Sequence, residues 1–357
     1  MSGVWGNKIK LSIFGESHGK AIGITINGLQ PGIELDLDYI NKEMERRAPG
    51  NSELTTPRKE KDSVDILSGF FNGKTTGSPL CAVIHNTNTQ SKDYSRTKDL
   101  MRPSHGDLTG YIKYGGFNDY RGGGHFSGRI TAPLVFAGAI CKQILESKGI
   151  VIGSHIKRIS TIEDESFNMV DLKEEELKEL TKDAFPVLNK SVEAGMKEAI
   201  VKAKDEQDSV GGVIETAVLN LPIGLGEPFF DSVESTLAHL LFSVPAIKAV
   251  EFGAGFEIAK LRGSEANDEY YMDGDKIKTS SNNNGGILGG ITNGMPLVFK
   301  VAVKPTASIG KAQNTIDIEK REVSKIEIVG RHDPCIVPRA LPVIEAVTAI
   351  AIFELMQ

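Results

Sequence analysis

Two stretches of this chain, TAPLVFAGAICKQILESK at 131–148 and LPVIEAVTAIAIFELM at 341–356, are apolar or small nearly all the way round a helical turn. A helix of that kind has no face to offer water, so it must be enclosed on every side. In the first, Thr131 can cap, Pro133 suits the opening turn and Gly149 supplies a stop. β-branched runs at 9–14, 22–26, 80–85, 213–219 and 297–303 read as strands. Further helices are predicted over 36–47, 172–180, 191–204 and 231–242. The combination predicts an α+β fold whose buried helices lie between sheets or in a subunit interface. GITINGLQPGIELD, followed by a helix, is echoed by GVIETAVLNLPIGLGEP, again followed by a helix, which is consistent with two similar halves. With no low-complexity linker between them, 1–357 reads as one domain; 165–190 reads as a charged, peripheral insertion and SSNNNGG at 280–286 as a loop.

The remaining composition narrows the class. No apolar run reaches the roughly 20 residues of a membrane span, and the N-terminus lacks the apolar core of a signal peptide, so a cytoplasmic protein is expected. Cys81, Cys141 and Cys335 are isolated, which predicts neither disulfides nor a structural zinc site; Cys81 and Cys141 read as small buried hydrophobes. A net charge of −6 argues against general nucleic-acid binding. Yet eight of the twelve arginines (46, 47, 58, 102, 121, 129, 331 and 339) stand in or beside glycine, proline or histidine turns, while lysines populate the helical stretches. Arginine's planar fork suits carboxylate and phosphate, so this segregation points to a small polyanionic ligand inside an acidic protein.

Four of the seven histidines sit in such turns: FGESHG (14–19), RPSHGD (102–107), RGGGHFSGR (121–129) and GRHDP (330–334). Three consecutive glycines let a backbone approach a ligand closely and turn successive amides into one concavity, ahead of a helix N-terminus. The segment is neither a Walker loop nor a dinucleotide fingerprint, and a tight structural turn is the plain alternative. Glu16, Ser17 and His18 follow a strand. A Ser17–His18 nucleophile pair is disfavoured because adjacent residues at a strand end point apart, leaving His18 as a general acid or a turn histidine. His105 stands between Arg102 and a potential orienting carboxylate, Asp107. No HxH, HxxxH or HExxH pattern predicts a metal. Arg331, His332, Asp333 and Arg339 precede the last helix, and KPTAS (304–308) follows a strand.

These motifs, with RRAPG (46–50), DYRGGG and GGILGGI (285–291), resemble the chorismate synthase family from end to end, in order and in approximate spacing. The resemblance implies a β-α-β sandwich with pseudo-duplicated halves, assembled as a cytoplasmic homotetramer. It implies trans-1,4-elimination of phosphate from 5-enolpyruvylshikimate 3-phosphate, the last step of the shikimate pathway, with reduced FMN required and no net redox change. Such a substrate carries two carboxylates and a phosphate, in keeping with the arginines. By the same resemblance His18 protonates the leaving phosphate, His105 acts near N1 of the reduced flavin, and Asp333 assists proton removal through N5. Arg46, Arg47, Arg129 and Arg339 fall to the substrate or to NADP. The flavin contacts map to His125, Phe126, Ser127, Pro245, Ala246, Gly289, Lys304, Pro305, Thr306, Ala307, Ser308 and Arg331. This chain departs from the family at three places: His125–Phe126 where Arg-Ser or Arg-Ala is common, Pro245 for a frequent asparagine, and Glu53 for a frequent arginine. At this length the flavin is expected to be reduced by an external donor. Two other readings of the same residues remain, a metal-dependent phosphohydrolase and a non-catalytic polyanion binder. Segments 44–60 and 86–99 are candidates for loops that close over the ligand.

Overall fold

The computed structural model describes residues 3–50, 62–87, 98–328 and 333–357. Glu53, Arg58, Arg331, His332 and most of the two expected closing loops lie outside the described residues. The chain opens with β1 (Val4–Trp5), β2 (Lys10–Gly15) and β3 (Ala21–Asn27), then α1 (Leu37–Arg47), β4 (Val64–Ser68) and β5 (Leu80–His85). A short α2 (Asp107–Lys113) precedes α3 (Thr131–Glu146). The second part runs through β6 (Val151–Ile159), β7 (Ile162–Glu163), α4 (Glu174–Leu180), α5 (Glu193–Asp205) and β8 (Gly212–Leu219). It ends with α6 (Val233–Ser243), β9 (Ile247–Phe252), β10 (Leu297–Val303) and α7 (Val337–Leu355).

Helices and sheets combine in an α+β fold. One sheet has the order β1-β2-β3-β5-β4 and the other β7-β6-β8-β10-β9, with antiparallel neighbours throughout. In both, the third and fourth long strands of the set pair with a register shift, at Ile66/Ser68 on β4 and at Ile247/Ala249 on β9. All five sequence-predicted strands and six helices are present. β1, β4, β6, β7 and β9 are additional.

The two apolar helices are enclosed, as their sequence demands. Every residue of α3 from Thr131 to Lys142 is buried, as is every residue of α7 from Leu341 to Glu354. α3 packs on β3, β5 and β6, α7 on β6 and β8, and α1 and α6 close against them. Both sheets and both helices contribute to one continuous apolar core. Each fully buried Leu, Ile, Val or Phe adds about 1.5–3 kcal/mol, so this core supplies most of the folding free energy. The helices touch at Gly138, where a Cβ would fall 2.3 Å from Ala346 Cβ. That approach is open only to glycine.

Three local expectations need correction. Thr131 does not cap α3: it is the first helical residue, its hydroxyl donating to Gly128 O (2.6 Å), and Ser127 caps the short turn before it. α7 begins at Val337 rather than 341, because Pro338 is suited to the first turn and Pro342 is carried inside. The insertion is not peripheral. Phe167, Leu172, Leu177 and Leu180 form a second small core on Val151, Ala217, Leu219 and Val298, and His155 is buried there between Asp164 and Glu215. Of the cysteines, Cys141 and Cys335 are buried and Cys81 is only partly so.

Candidate active site

The glycine turn is the hub. Gly122, Gly123 and Gly124 have φ of 60°, 84° and 53°, a left-handed run that side chains resist. A Cβ on Gly122 would lie 2.2 Å from His18 Nδ1, and one on Gly123 3.0 Å from His105 Cε1. The turn is thus wedged between the imidazoles of two other motifs. His18 is buried, and Ser17 Oγ sits 3.2 Å from its Nδ1 and within 3.3 Å of the carbonyls of Arg121 and Gly122. Ser17 and His18 therefore do not point apart as strand alternation predicts, because β2 ends at Gly15 and both residues belong to the turn beyond it.

His125 and Phe126 tie motifs together. His125 Nδ1 is 2.8 Å from Gly15 O, and the Phe126 ring rests on Gly106, just before α2, and on Gly110 within it, where added Cβ atoms would come within 3.2 and 2.7 Å. Ser127 accepts from the Arg129 N–H (3.3 Å).

On the RPSHGD side, Asp107 Oδ1 lies 2.7 Å from His105 Nδ1 while the same carboxylate takes a two-pronged contact from Arg102 (2.7 and 2.8 Å). Burial alone would raise the Asp107 carboxyl, but the bonds from Arg102 and His105 outweigh it and hold it far below the ordinary range. Arg102 Nη1 reaches Ser308 Oγ (3.2 Å), and Lys304 Nζ donates to Ser104 O, so the 304–308 segment lies beside His105. Burial, then Lys248, lowers the Lys304 ammonium. Lys304 N–H donates to Ala246 O (2.9 Å), which brings the Pro245–Ala246 turn to the same segment; Thr306 Oγ1 donates to Asp333 O (3.0 Å). Pro305 and Ala307 complete that segment. Gly289 stands apart. It occupies a tight turn whose neighbour Gly290 accepts from Val233 N–H at the start of α6, whereas Pro245 follows the end of that helix, about 16 Å away at 1.5 Å per residue.

The arginines divide. Arg47, Arg129 and Arg339 converge: Asp62, 6% exposed, accepts from Arg47 Nε (2.9 Å) and Nη2 with one oxygen and from Arg129 Nη1 with the other. Arg339 donates to Arg47 O (3.1 Å) and to Asp333 Oδ2 (2.5 Å). Burial, aided by the like charges of Arg339 and Arg129, outweighs Asp62 and lowers Arg47 to about 10. Arg46 points elsewhere. It pairs with Glu345 (2.6 Å) and Glu43 (2.9 Å) in a buried cluster with Lys142, so the substrate role read from its position in RRAPG is corrected to a structural one. Sequence reading missed Asp62 and Asn86. Asp62 follows a charged stretch, PRKEK, with the look of a solvated surface, and Asn86 begins a polar run that reads as a plain loop.

Among the described residues no three His, Cys, Asp or Glu side chains are grouped to hold a metal ion, and no helix is long and apolar enough to cross a membrane. The arrangement offers two imidazoles, each with a side-chain partner, a close-approach backbone turn and a buried arginine set, which is equipment for moving protons beside a bound anion.

The chain is 46% identical over 355 residues to a chorismate synthase of Dehalococcoides mccartyi, covering 99% of this chain and 96% of that one. It is 48% identical over 361 residues to one of Methanocaldococcus jannaschii, covering 99% and 95%. A solved structure described as the crystal structure of chorismate synthase superimposes with a TM-score of 0.76 at 32% identity, over 99% of this chain and 92% of that one. The chorismate synthase family model matches residues 9–357. The chain belongs to the chorismate synthase family.

Proposed function

We propose that this chain converts 5-enolpyruvylshikimate 3-phosphate to chorismate by trans-1,4-elimination of phosphate, with reduced FMN bound and no net redox change. The observation that carries the site assignment is the packing of Gly122 against His18 and Gly123 against His105, which puts two proton-handling groups on either side of one glycine turn. In this reading His18 protonates the leaving phosphate. Ser17, whose hydroxyl faces two carbonyls, accepts from His18 Nδ1 and leaves Nε2 to carry the transferred proton. His105, its Nδ1 2.7 Å from Asp107 Oδ1, would act near N1 of the bound flavin. Asp333, steadied by Arg339, would assist removal of the C6 hydrogen through N5 of the bound flavin. Arg47, Arg129 and Arg339 receive the substrate's anionic groups, or those of NADP.

The residues suit the flavin. A glycine turn set against His18 and His105, next to Lys304 and the hydroxyls of Thr306 and Ser308, offers backbone amides and polar groups for a planar ring with a phosphate tail. The chemistry available from bound reduced FMN is transient electron density that eases phosphate departure and is restored when the C6 hydrogen leaves. Its contacts are assigned to His125, Phe126, Ser127, Pro245, Ala246, Gly289, Lys304 through Ser308, and Arg331. Since His125 and Phe126 use their side chains on Gly15, Gly106 and Gly110, their part is assigned to the backbone.

For the molecule as a whole we assign a single-domain β-α-β sandwich with pseudo-duplicated halves, supported by the matching strand orders and by the contact of the buried helices with both sheets. Exposed Phe229, Phe230 and Phe256 support assembly into a homotetramer, which we place in the cytoplasm with an external flavin reductant and neither a nucleic-acid nor a membrane partner.

Turnover under anaerobic conditions tests the roles. His18→Ala and His105→Ala are each expected to lower it by about 10² to 10⁴ while flavin binding persists. Unaltered turnover in both removes the assignment. Loss of activity on chelation, with no need for reduced FMN, would instead support a phosphohydrolase.

A further inference from the structure

We propose that Asp62 is a positioning residue for the anionic substrate, setting the separation and orientation of the two arginines, Arg47 and Arg129, that receive it. The inference rests on the substrate role given to those arginines above.

The geometry is that of a bridge. Asp62 gives Oδ2 to Arg47 and Oδ1 to Arg129, so the two guanidinium groups are held at the span of one carboxylate. The side chains of Arg47, Asp62 and Arg129 are buried, at 3%, 1% and 5% side-chain exposure, where water cannot screen the repulsion between the cations. Burial pushes the Asp62 carboxyl up, but the two arginines outweigh it and keep it ionised below the ordinary range.

Each arginine residue has a second tie, Arg129 through its guanidinium and Arg47 through its backbone carbonyl. Asn86 Oδ1 accepts from Arg129 Nε (3.1 Å), and Asn86 Nδ2 donates to Glu16 O and Gly19 O (both 3.0 Å), the carbonyls flanking Ser17 and His18. Arg47 O accepts from Arg339, which in turn holds Asp333. A continuous hydrogen-bonded path thus runs from the His18 turn to Asp333, with Asp62 the carboxylate near its middle. An arginine pair ordered in advance meets an incoming anion without losing further freedom, and that advantage appears in binding. Since the bridge contacts arginines and not the reacting atoms, its removal should weaken binding in the ground and transition states alike, raising KM while leaving kcat nearly unchanged.

The test compares wild type with Asp62→Asn, which removes the charge, and Asp62→Glu, which keeps the charge but moves it by one methylene. We expect KM for 5-enolpyruvylshikimate 3-phosphate to rise on the order of 10- to 100-fold in Asp62→Asn and about 10-fold in Asp62→Glu, with kcat within about threefold. Calorimetric affinity for inorganic phosphate should fall in parallel. A merely structural carboxylate would lower the melting temperature and leave KM of the folded enzyme unmoved. If Asp62→Asn does not fold, Asp62→Glu decides alone: a folded variant with wild-type KM and phosphate affinity overturns the proposal. If the wild type forms no chorismate, the functional reading fails on its own. The phosphate titration then still decides, weaker binding by Asp62→Glu supporting the bridge and equal binding refuting it.

Discussion

Gly122 does more for this site than its missing side chain suggests, since it is the residue that lets the His18 ring stand against a backbone. Its φ of 60° and the 2.2 Å to the imidazole both exclude a Cβ. Gly122→Ala is therefore expected to push the ring from its place, and a displacement of about 1 Å costs on the order of 10² in turnover. Activity within twofold of wild type, from a protein of unchanged melting temperature, would contradict the wedge. At this scale the sequence was partly legible. Histidines among glycines marked the turns, and arginine segregation marked the anion site. Strand alternation misled at Ser17, because it was carried past the point where β2 ends. Asp62 was hidden because a carboxylate directly after a lysine-rich stretch looks the same in sequence whether it faces water or two buried arginines.

At the scale of elements, helix enclosure was legible because an all-round apolar surface admits only one environment. β6 was not, since His155 and Lys157 break its apolar run and are buried only because Asp164, Glu163 and Glu215 meet them from elsewhere in the fold. Arg46 was misassigned for a related reason. Adjacent residues on a helix differ by 100° in direction, so Arg46 reaches Glu345 of α7 while Arg47 reaches Asp62. The contact of α3 with α7 gives a direct element-scale prediction. Gly138→Ala places a methyl where only 2.3 Å is available to Ala346 Cβ, and overpacking of that kind costs about 1–3 kcal/mol. A denaturant titration should show that loss of stability, and an unchanged midpoint would mean the helices can separate freely at this point.

For the whole molecule, the matching strand orders give physical content to the faint echo in sequence: β3 followed by α1 and β8 followed by α6 occupy corresponding places. The site draws instead on segments from Gly15 to Arg339, far apart in sequence, and it exists only when both sheets have folded round α3 and α7. That long-range assembly explains why no single motif carried the function, whereas their order along the chain did. The central claim is that one folded chain eliminates phosphate with reduced flavin as a non-consumed partner. The most direct measurement is an anaerobic reaction of this protein with 5-enolpyruvylshikimate 3-phosphate and chemically reduced FMN, following chorismate absorbance, phosphate release and the flavin spectrum together. Chorismate and phosphate are expected in equal amounts over many turnovers, with the flavin still reduced at the end and no reaction when only oxidised FMN is supplied. Phosphate release without chorismate, or turnover indifferent to reduced flavin, would contradict it.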